Sequence, residues 1–446
     1  MNEGGVGSYW RQLKAVTFLC KTKDENGGKR MRKFVIGVFS FAIILIILSG
    51  CTNSAMQDTE GTTANGEEVT EGSSGEVNSE SSEDSIKIGV LHPFSGVYAT
   101  LGNDLSDGMK LYLDSVDWTA GGKTIELIEE DSEADPQNSL RRLRKLMDQD
   151  NIDILTGVVS TAVAYAIRDE VDANQLPFLT SHAGGDDLTR SERSDYIWRS
   201  SFSSWQIGNA MGEWAYENIG DKMFIAAADY AFGREVSTSF KDAYTEAGGE
   251  IVGEVYPPLE NNDYASYLTT IADADADGVY AFFAGSDAVR FVQQFHEYGL
   301  HENFELLGSG WLVSEDLRES IGEAAEGVYA ASFWDYNLEN EENIAFREAY
   351  EEAYDRRPTI EALEGYDAAR ILVETIEELN GDVSDPDKVI EVMSQVTFDS
   401  PRGPFSFDTD THHVIQNMYI LETIMDGERT ENSMIETIEN VQDPGE

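Results

Sequence analysis

Short apolar runs alternate with longer amphipathic stretches along most of the chain after residue 85. Runs rich in Val, Ile, Leu and Phe predict strands at 86–91, 124–130, 152–156, 178–180, 223–228, 251–256, 278–283, 305–307 and 328–332. Stretches with a period near 3.6 residues predict helices at 104–116, 139–150, 161–174, 207–218, 234–247, 264–272, 287–298, 341–355, 360–379 and 387–395. Two further runs, at 405–407 and 416–423, resemble a hairpin.

Repeated strand–helix alternation predicts an α/β fold with parallel sheets that carry helices on both faces. About 360 residues follow Ser85, which is too many for one such core. We therefore predict two α/β lobes.

A different apolar segment, at 34–47, lies near the start of the chain. A basic stretch at 31–33 precedes it, and Leu-Ser-Gly-Cys at 48–51 ends it, as in an export signal. The segment is shorter than the ~20 residues that cross a bilayer. The ending resembles the lipobox of prokaryotic lipoproteins, so we expect lipidation of Cys51; the alternative is an uncleaved anchor. We expect translation to start at Met31, with residues 1–50 forming an extension and the signal peptide.

Composition extends this picture. Residues 52–84 are almost all small, polar or acidic, so we predict a disordered tether over 51–85. Cys20 and Cys51 are the two cysteines; once Cys51 carries lipid, we expect neither disulfides nor thiolate chemistry in the body of the protein.

Charge narrows the choice of partners. Residues 51–446 hold 81 acidic and 23 basic residues, a net charge of −58. Nucleic acid is a poor partner for such a field. Self-repulsion of this size is quenched in concentrated salt, where the Debye length is about 3 Å. The sequence therefore indicates a halophilic source.

Candidate catalytic and metal motifs are incomplete. The acidic run 273–278 mimics the opening of a calcium loop, but its twelfth position is Ala284 instead of glutamate. The adjacent His412 and His413 lack a second ligand cluster, and glycine-rich 308–310 lacks the third glycine of a dinucleotide turn. We therefore expect no enzyme activity, no metal and no cofactor.

Two turns predict a binding site instead. Gly-Val-Val-Ser-Thr at 157–161 ends a strand and opens a helix, where free N–H groups and hydroxyls suit an anion. Ser160 or Thr161 acting only as a helix cap is the alternative. The second turn, 180–185, has small residues that permit close backbone approach.

Several short motifs follow one another in a specific order. They are Ile-Gly-Val-Leu-His-Pro-Phe-Ser-Gly at 88–96, Asp131 with Asp135-Pro136, the 157–161 turn, Asp-Tyr-Ala-Phe-Gly at 229–233, Gly-Val-Tyr at 327–329 and Gly-Pro-Phe-Ser-Phe-Asp at 403–408. Together they resemble the leucine/isoleucine/valine-binding family of ABC-transporter solute receptors, from residue 86 to about 423. The resemblance implies a type I periplasmic-binding-protein fold, in which two Rossmann-like lobes are joined by a three-strand hinge.

The same resemblance implies a set of ligand-binding residues in the cleft between the lobes. Thr161, with Ser160 beside it, matches the residue that binds the ligand carboxylate in this family. His182 and Gly184 match positions that contribute backbone groups to the ligand. Phe232 takes the place of a ligand-facing aromatic residue. The remaining candidates are Tyr98, Gly285 and Trp311.

The nature of the ligand stays open between two classes. The family's acidic residue for a ligand ammonium falls near Gly310, where no carboxylate stands. An unpaired ammonium is costly to bury, so this loss favours an aromatic or other organic acid over a branched-chain amino acid. In the alternative, Asp335 or Glu364 supplies the ammonium partner from another position.

The resemblance also implies the domain boundaries and partners. We predict a first lobe of 86–201 plus 331–402, a second of 202–330 plus 403–430, an acidic tail at 431–446, and hinge crossings near 200–202, 329–331 and 402–403. The expected role is that of a lipid-anchored, extracytoplasmic monomer that delivers a small carboxylate to an ABC permease. A ligand-sensing ectodomain is the alternative; we expect it to continue into a transmembrane helix, and the given sequence ends at Glu446 without one.

Overall fold

The computed structural model describes residues 85–427 and 429–445, together with the backbone of 19–23 and 29–33. In the N-terminal part, strand β1 (Leu19–Lys23) pairs antiparallel with β2 (Lys29–Lys33). The predicted signal segment, Cys51 and the tether up to residue 84 lie outside the described residues. The rest of this section concerns residue 85 onwards.

The first lobe is built on a sheet of six strands in the order β8-β7-β6-β3-β5-β4. All neighbours pair in parallel except β4, which runs antiparallel to β5. The strands are β3 (Ser85–His92), β4 (Thr119–Ala120), β5 (Lys123–Asp131), β6 (Ile154–Gly157), β7 (Phe178–Thr180) and β8 (Ile197–Arg199).

The second lobe is built on five parallel strands in the order β10-β9-β11-β12-β13, followed by β16 and β17 in antiparallel orientation. The parallel strands are β9 (Lys222–Ala227), β10 (Glu250–Val255), β11 (Gly278–Phe282), β12 (Glu305–Ser309) and β13 (Tyr329–Ser332). The antiparallel strands are β16 (His413–Asp426) and β17 (Arg429–Val441).

Strand β16 belongs to both lobes. Its first residues pair with β8 and with β15 (Gly403–Asp408), which in turn pairs with β14 (Thr397–Ser400). Its later residues, from Tyr419 to Glu422, pair with β13 of the second sheet. A single strand therefore connects the two sheets.

Helices cover the sheets. Side chains of Asp135, Ser203, Asn340, Thr359 and Asp385 cap five of these helices at the N-terminus, as such residues commonly do. The helices are α1 (Ala99–Ser115), α2 (Pro136–Lys145), α3 (Thr161–Ala173), α4 (Ser204–Asn218), α5 (Ala231–Ala247), α6 (Ala265–Ala272), α7 (Gly285–Glu297), α8 (Glu315–Ile321), α9 (Glu341–Tyr354), α10 (Ile360–Glu378) and α11 (Pro386–Met393). Among the described residues, none of the helices has both the length and the apolar character needed to cross a bilayer.

The predicted α/β fold with mostly parallel sheets is confirmed, but two predicted ranges differ from the structure. Strand β15 lies in the range assigned to the second lobe, yet Phe405 and Phe407 pack in the core of the first. Of the range 431–446, which was predicted as a tail, residues 431–441 instead form most of β17, because the long β16 offers them a partner strand. Beyond this strand, buried Asp443 lies 2.9 Å from Arg190 Nε. The other lobe boundaries stay a prediction.

Candidate ligand-binding site

The first part of the site lies where β6 and β7 end in the first lobe. Ser160 occupies the N-cap position of α3, but its side chain makes no capping hydrogen bond. Thr161, the first residue of that helix, is buried. Gly185 packs against it so closely that an added Cβ would lie 2.4 Å from Thr161 Cγ2. The helix N-terminus, two hydroxyls and a close loop backbone thus come together, which suits an anionic group.

Five aromatic side chains form the second part, here called the ring cluster: His182, Phe202, Phe232, Trp311 and Phe333. Each follows the carboxyl end of a parallel strand, namely β7, β8, β9, β12 and β13 in that order. All five are buried. Both lobes therefore contribute to the cluster at the sheet edge where open α/β folds bind ligands.

Ring contacts within the cluster run through Phe202. Its ring centroid lies 4.7 Å from that of Trp311, 5.7 Å from that of Phe232 and 5.5 Å from that of Phe333. His182 meets Phe202 edge-on at 5.3 Å and Trp311 at 5.9 Å. These distances are typical of favourable aromatic pairs, and they create an apolar surface suited to a planar ring.

Gly184 joins the two parts of the site. A Cβ added to it would lie 2.4 Å from Phe202 Cε2 and 2.8 Å from Phe232 Cε2. Only glycine therefore lets the loop backbone approach both rings. The loop 182–185 thus contacts the ring cluster at Gly184 and Thr161 at its next residue.

Two buried glutamates of α10 approach the ring cluster. Glu364 Oε2 lies 2.6 Å from His182 Nδ1, and Trp311 Nε1 donates to Glu361 Oε1 at 3.1 Å. Burial raises the pKa of Glu361 to about 7. Burial also raises the pKa of Glu364, against the opposing effect of His182. Burial alone would lower the pKa of His182. The charge of Glu364 and its hydrogen bond outweigh this effect, so the pKa of His182 is raised.

Tyr98 and Gly285 are not part of the ring cluster. Tyr98, before α1 of the first lobe, is near Tyr230 of the second lobe, and burial raises the pKa of both hydroxyls. The ring centroid of Tyr230 lies 6.2 Å from that of Phe282, and the ring centroid of Phe282 lies 4.9 Å from that of Phe232. Gly285 begins α7, and a Cβ on it would meet no atom within 4 Å.

The structure thus brings together most of the predicted site residues, and it adds others. His182, Phe232 and Trp311 form a single ring cluster, which Gly184 contacts. Phe202, Phe333 and Glu361 were not predicted. Phe333 directly follows the predicted strand 328–332, and an aromatic residue at that position is a signal that could have indicated it. Of the two alternative ammonium partners, Asp335 already accepts a hydrogen bond from Asn432 Nδ2 at 2.8 Å, and Glu364 is paired with His182.

A separate cleft of about 890 Å³ has charged walls instead of aromatic ones. Arg357 Nη1 there donates to Glu315 at 2.8 Å and to Glu431 at 3.0 Å, and Arg356 donates to Asp104 at 2.7 Å. These two cations already have carboxylate partners within the chain. The cleft is therefore a weaker candidate for an organic acid than the ring cluster.

Comparison with known proteins assigns the fold to a family. A family model described as periplasmic binding protein matches residues 85–428. The Leu/Ile/Val-binding protein homolog 6 of Brucella melitensis is 29% identical over 368 residues, which cover 81% of this chain and 94% of that protein. This chain belongs to the leucine/isoleucine/valine-binding family of periplasmic binding proteins.

Solved structures of the family agree with the two-lobed architecture. An ABC-transporter solute-binding protein of Rhodopseudomonas palustris BisB5, in complex with 3,4-dihydroxybenzoic acid, is 33% identical with a TM-score of 0.77. The match covers 81% of this chain and 99% of that one. A second R. palustris protein, in complex with benzoate, is 30% identical with a TM-score of 0.74, over 80% of this chain and 98% of that one. Members of the family bind solutes for ABC transporters outside the cytoplasm and are not enzymes.

Proposed function

We propose that this protein is the receptor of an ABC importer and that it holds a small aromatic carboxylate between its lobes. The observation that carries the proposal is the ring cluster, in which five buried aromatic side chains from both lobes meet beside Thr161. The carboxylate would bind at the α3 N-terminus, and the solute ring would pack on Phe202 and Phe232. Closure of the lobes around the solute would then present the loaded form to the permease.

The charge of the site favours an acid without an ammonium group. Glu364 is already paired with His182, and Asp335 is held by Asn432. Because the charge of Glu364 is already balanced by His182, an ammonium group here would lack a counter-charge of its own, and an unpaired buried charge is costly. The two R. palustris relatives, whose structures contain dihydroxybenzoate and benzoate, point in the same direction.

A thermal-shift titration of the purified protein in molar salt tests the ligand class. Benzoate and its hydroxylated derivatives should raise the melting temperature, with a stabilisation that grows as RT ln(1 + [L]/Kd). Leucine and valine should leave it unchanged. Stabilisation by leucine or valine, with none by any aromatic acid, would refute the aromatic preference and restore the amino-acid alternative.

We further propose that the protein is tethered to the outer face of the membrane through lipid on Cys51 and acts as a monomer. The Leu-Ser-Gly-Cys sequence at 48–51 supports the anchor. Cys51→Ser should move the protein from the membrane fraction to the soluble fraction, whereas Ser54→Ala, three residues further along the chain, should not. Retention of the Cys51→Ser variant in membranes would contradict lipid anchoring.

A further inference from the structure

Glu364 has one carboxylate oxygen with a partner and one without. Its side chain is fully buried, and Oε2 lies 2.6 Å from His182 Nδ1. Within the described part of the chain, no group hydrogen-bonds to Oε1. A buried acceptor without a donor is unfavourable and calls for an explanation such as a bound ligand group.

The position of Glu364 indicates which part of a solute would reach it. The loop 182–185 pairs with Glu364 through its first residue, His182, and touches Thr161 at its last, Gly185. Gly184 contacts the ring cluster in between. A solute with its carboxylate at Thr161 and its ring against the ring cluster would direct the far edge of that ring towards Glu364.

The chemistry of this oxygen is the same in both protonation states of the pair. Whether His182 or Glu364 holds the shared proton, it lies in the short bond between Nδ1 and Oε2. Oε1 is therefore a hydrogen-bond acceptor in either case. It requires a donor from the solute. A branched-chain amino acid cannot supply one there, since its side chain has no donor and its ammonium lies next to its own carboxylate at the Thr161 end.

We propose that Glu364 Oε1 accepts a hydrogen bond from a hydroxyl group on the ring of the solute and thereby selects hydroxylated aromatic acids. The inference rests on the proposed function, because it requires an aromatic carboxylate in the cleft. It assigns Glu364 as the specificity-determining residue. A site built to bond a hydroxyl rejects the analogue that lacks it, because the buried acceptor is then left unpaired.

Titration calorimetry of the full chain with benzoate and with its 3- and 4-hydroxy and 3- and 4-methoxy derivatives tests this assignment. At least one hydroxybenzoate should bind about tenfold or more tightly than benzoate and than its own methoxy counterpart. The methoxy group occupies similar space but donates no proton. Equal affinities of benzoate and both hydroxybenzoates for the unmodified protein would overturn the inference while leaving the proposed function intact. Binding of none of these acids would remove both.

Glu364→Gln provides the second readout. In this variant His182 would stay hydrogen-bonded to the amide oxygen, which takes the place of Oε2. The amide NH₂ group, a donor, would then replace the unpaired acceptor Oε1. The preference for hydroxyl over methoxy should therefore fall below about threefold. Glu374→Gln is the matched control, because it lies on the same helix and pairs with Arg370; it should keep the full preference. An unchanged preference in Glu364→Gln would also overturn the inference. If this variant does not fold, the ligand series on the unmodified protein decides alone.

Discussion

Arg402 and Asp367 form an ion pair in which both side chains are fully buried, with Arg402 Nη2 lying 2.8 Å from Asp367 Oδ2. Arg402 Nη1 also donates to the carbonyls of Ser200 and Ser201, at 3.1 and 3.2 Å. The pair therefore connects α10 and the β14–β15 turn with the segment that follows β8. Two of the three predicted hinge crossings, 200–202 and 402–403, meet at this arginine.

Removal of this arginine should be strongly destabilising. Arg402→Met leaves the Asp367 carboxylate buried without its counter-charge, which typically costs about 3–5 kcal/mol of unfolding free energy. Urea denaturation at constant salt measures the loss. The matched Arg144→Met breaks the exposed pair with Glu170 and should cost far less, because solvent screens such pairs. Similar losses in both variants would contradict the structural role of the buried pair.

The Thr161 hydroxyl is expected to bind the solute carboxylate. Thr161→Ala should weaken binding of any carboxylate ligand by about 1–3 kcal/mol, the typical value for a lost hydrogen bond to a charged group. Calorimetry with the tightest-binding acid measures the change. Thr238→Ala is a suitable control, because that hydroxyl donates to the carbonyl of Arg234 within its own exposed helix turn. Unchanged affinity in Thr161→Ala would remove this residue from the site.

Phe232 should contribute selectivity for aromatic solutes. Phe232→Leu keeps an apolar side chain but removes ring stacking, so benzoate-type acids should bind about 0.5–1.5 kcal/mol more weakly. Binding of an aliphatic acid of similar size should change little. Phe291→Leu serves as control: Phe291 is buried in a different core cluster of the second lobe, so this change should lower the melting temperature without altering selectivity. Equal weakening of aromatic and aliphatic ligands in Phe232→Leu would exclude stacking as its role.

Much of the fold follows from local sequence pattern. Buried parallel strands appear as continuous apolar runs, so the strand 178–180 and the start of α3 at Thr161 are predicted at the residues where the structure has them. Strand β8 was missed because it ends in Arg199, whose buried guanidinium donates to Gly185 O. Strand β17 was missed because its polar sequence is stabilised by pairing with β16, a contact that no local pattern contains.

The candidate site could be predicted from the sequence only in part. The family resemblance identifies the positions of Thr161 and Phe232, and Trp311 is adjacent to a further such position at Gly310. Glu361, in contrast, appears in the sequence as an ordinary acidic residue in the first turn of a helix, where glutamate is common. Its contact with Trp311 depends on how α10 packs against the second lobe, which sequence alone does not reveal.

Two buried histidines should make the protein sensitive to acid. Burial lowers the pKa of His92 to about 3, and burial with the nearby Arg199 charge lowers that of His413 well below its usual value. Between about pH 6.5 and 4 the unfolded chain then binds protons that the folded protein does not. Each of these two histidines should therefore lower stability with decreasing pH, by up to about 1.4 kcal/mol per pH unit, whereas Glu361, whose pKa is raised to about 7, acts in the opposite sense.

The contribution of His92 can be measured as a change in slope. Unfolding free energies from urea titrations between pH 6.5 and 4.5 should fall less steeply in His92→Gln than in the unmodified protein, by up to about 1.4 kcal/mol per pH unit. His301→Gln, at an exposed position, should keep the original slope. Identical slopes in all three proteins would show that His92 takes up its proton in the folded state.

The large negative charge should make stability depend on salt. With 81 acidic and 23 basic residues over 51–446, repulsion in the folded state is strong when the Debye length is about 10 Å, and it is largely screened at about 3 Å. The melting temperature should therefore rise steeply between about 0.1 and 1 M NaCl. Sodium sulfate at equal ionic strength separates two causes: screening alone gives equal melting temperatures, whereas strengthened apolar burial gives a higher one in sulfate. A melting temperature that does not depend on NaCl would contradict the interpretation that the protein is adapted to concentrated salt.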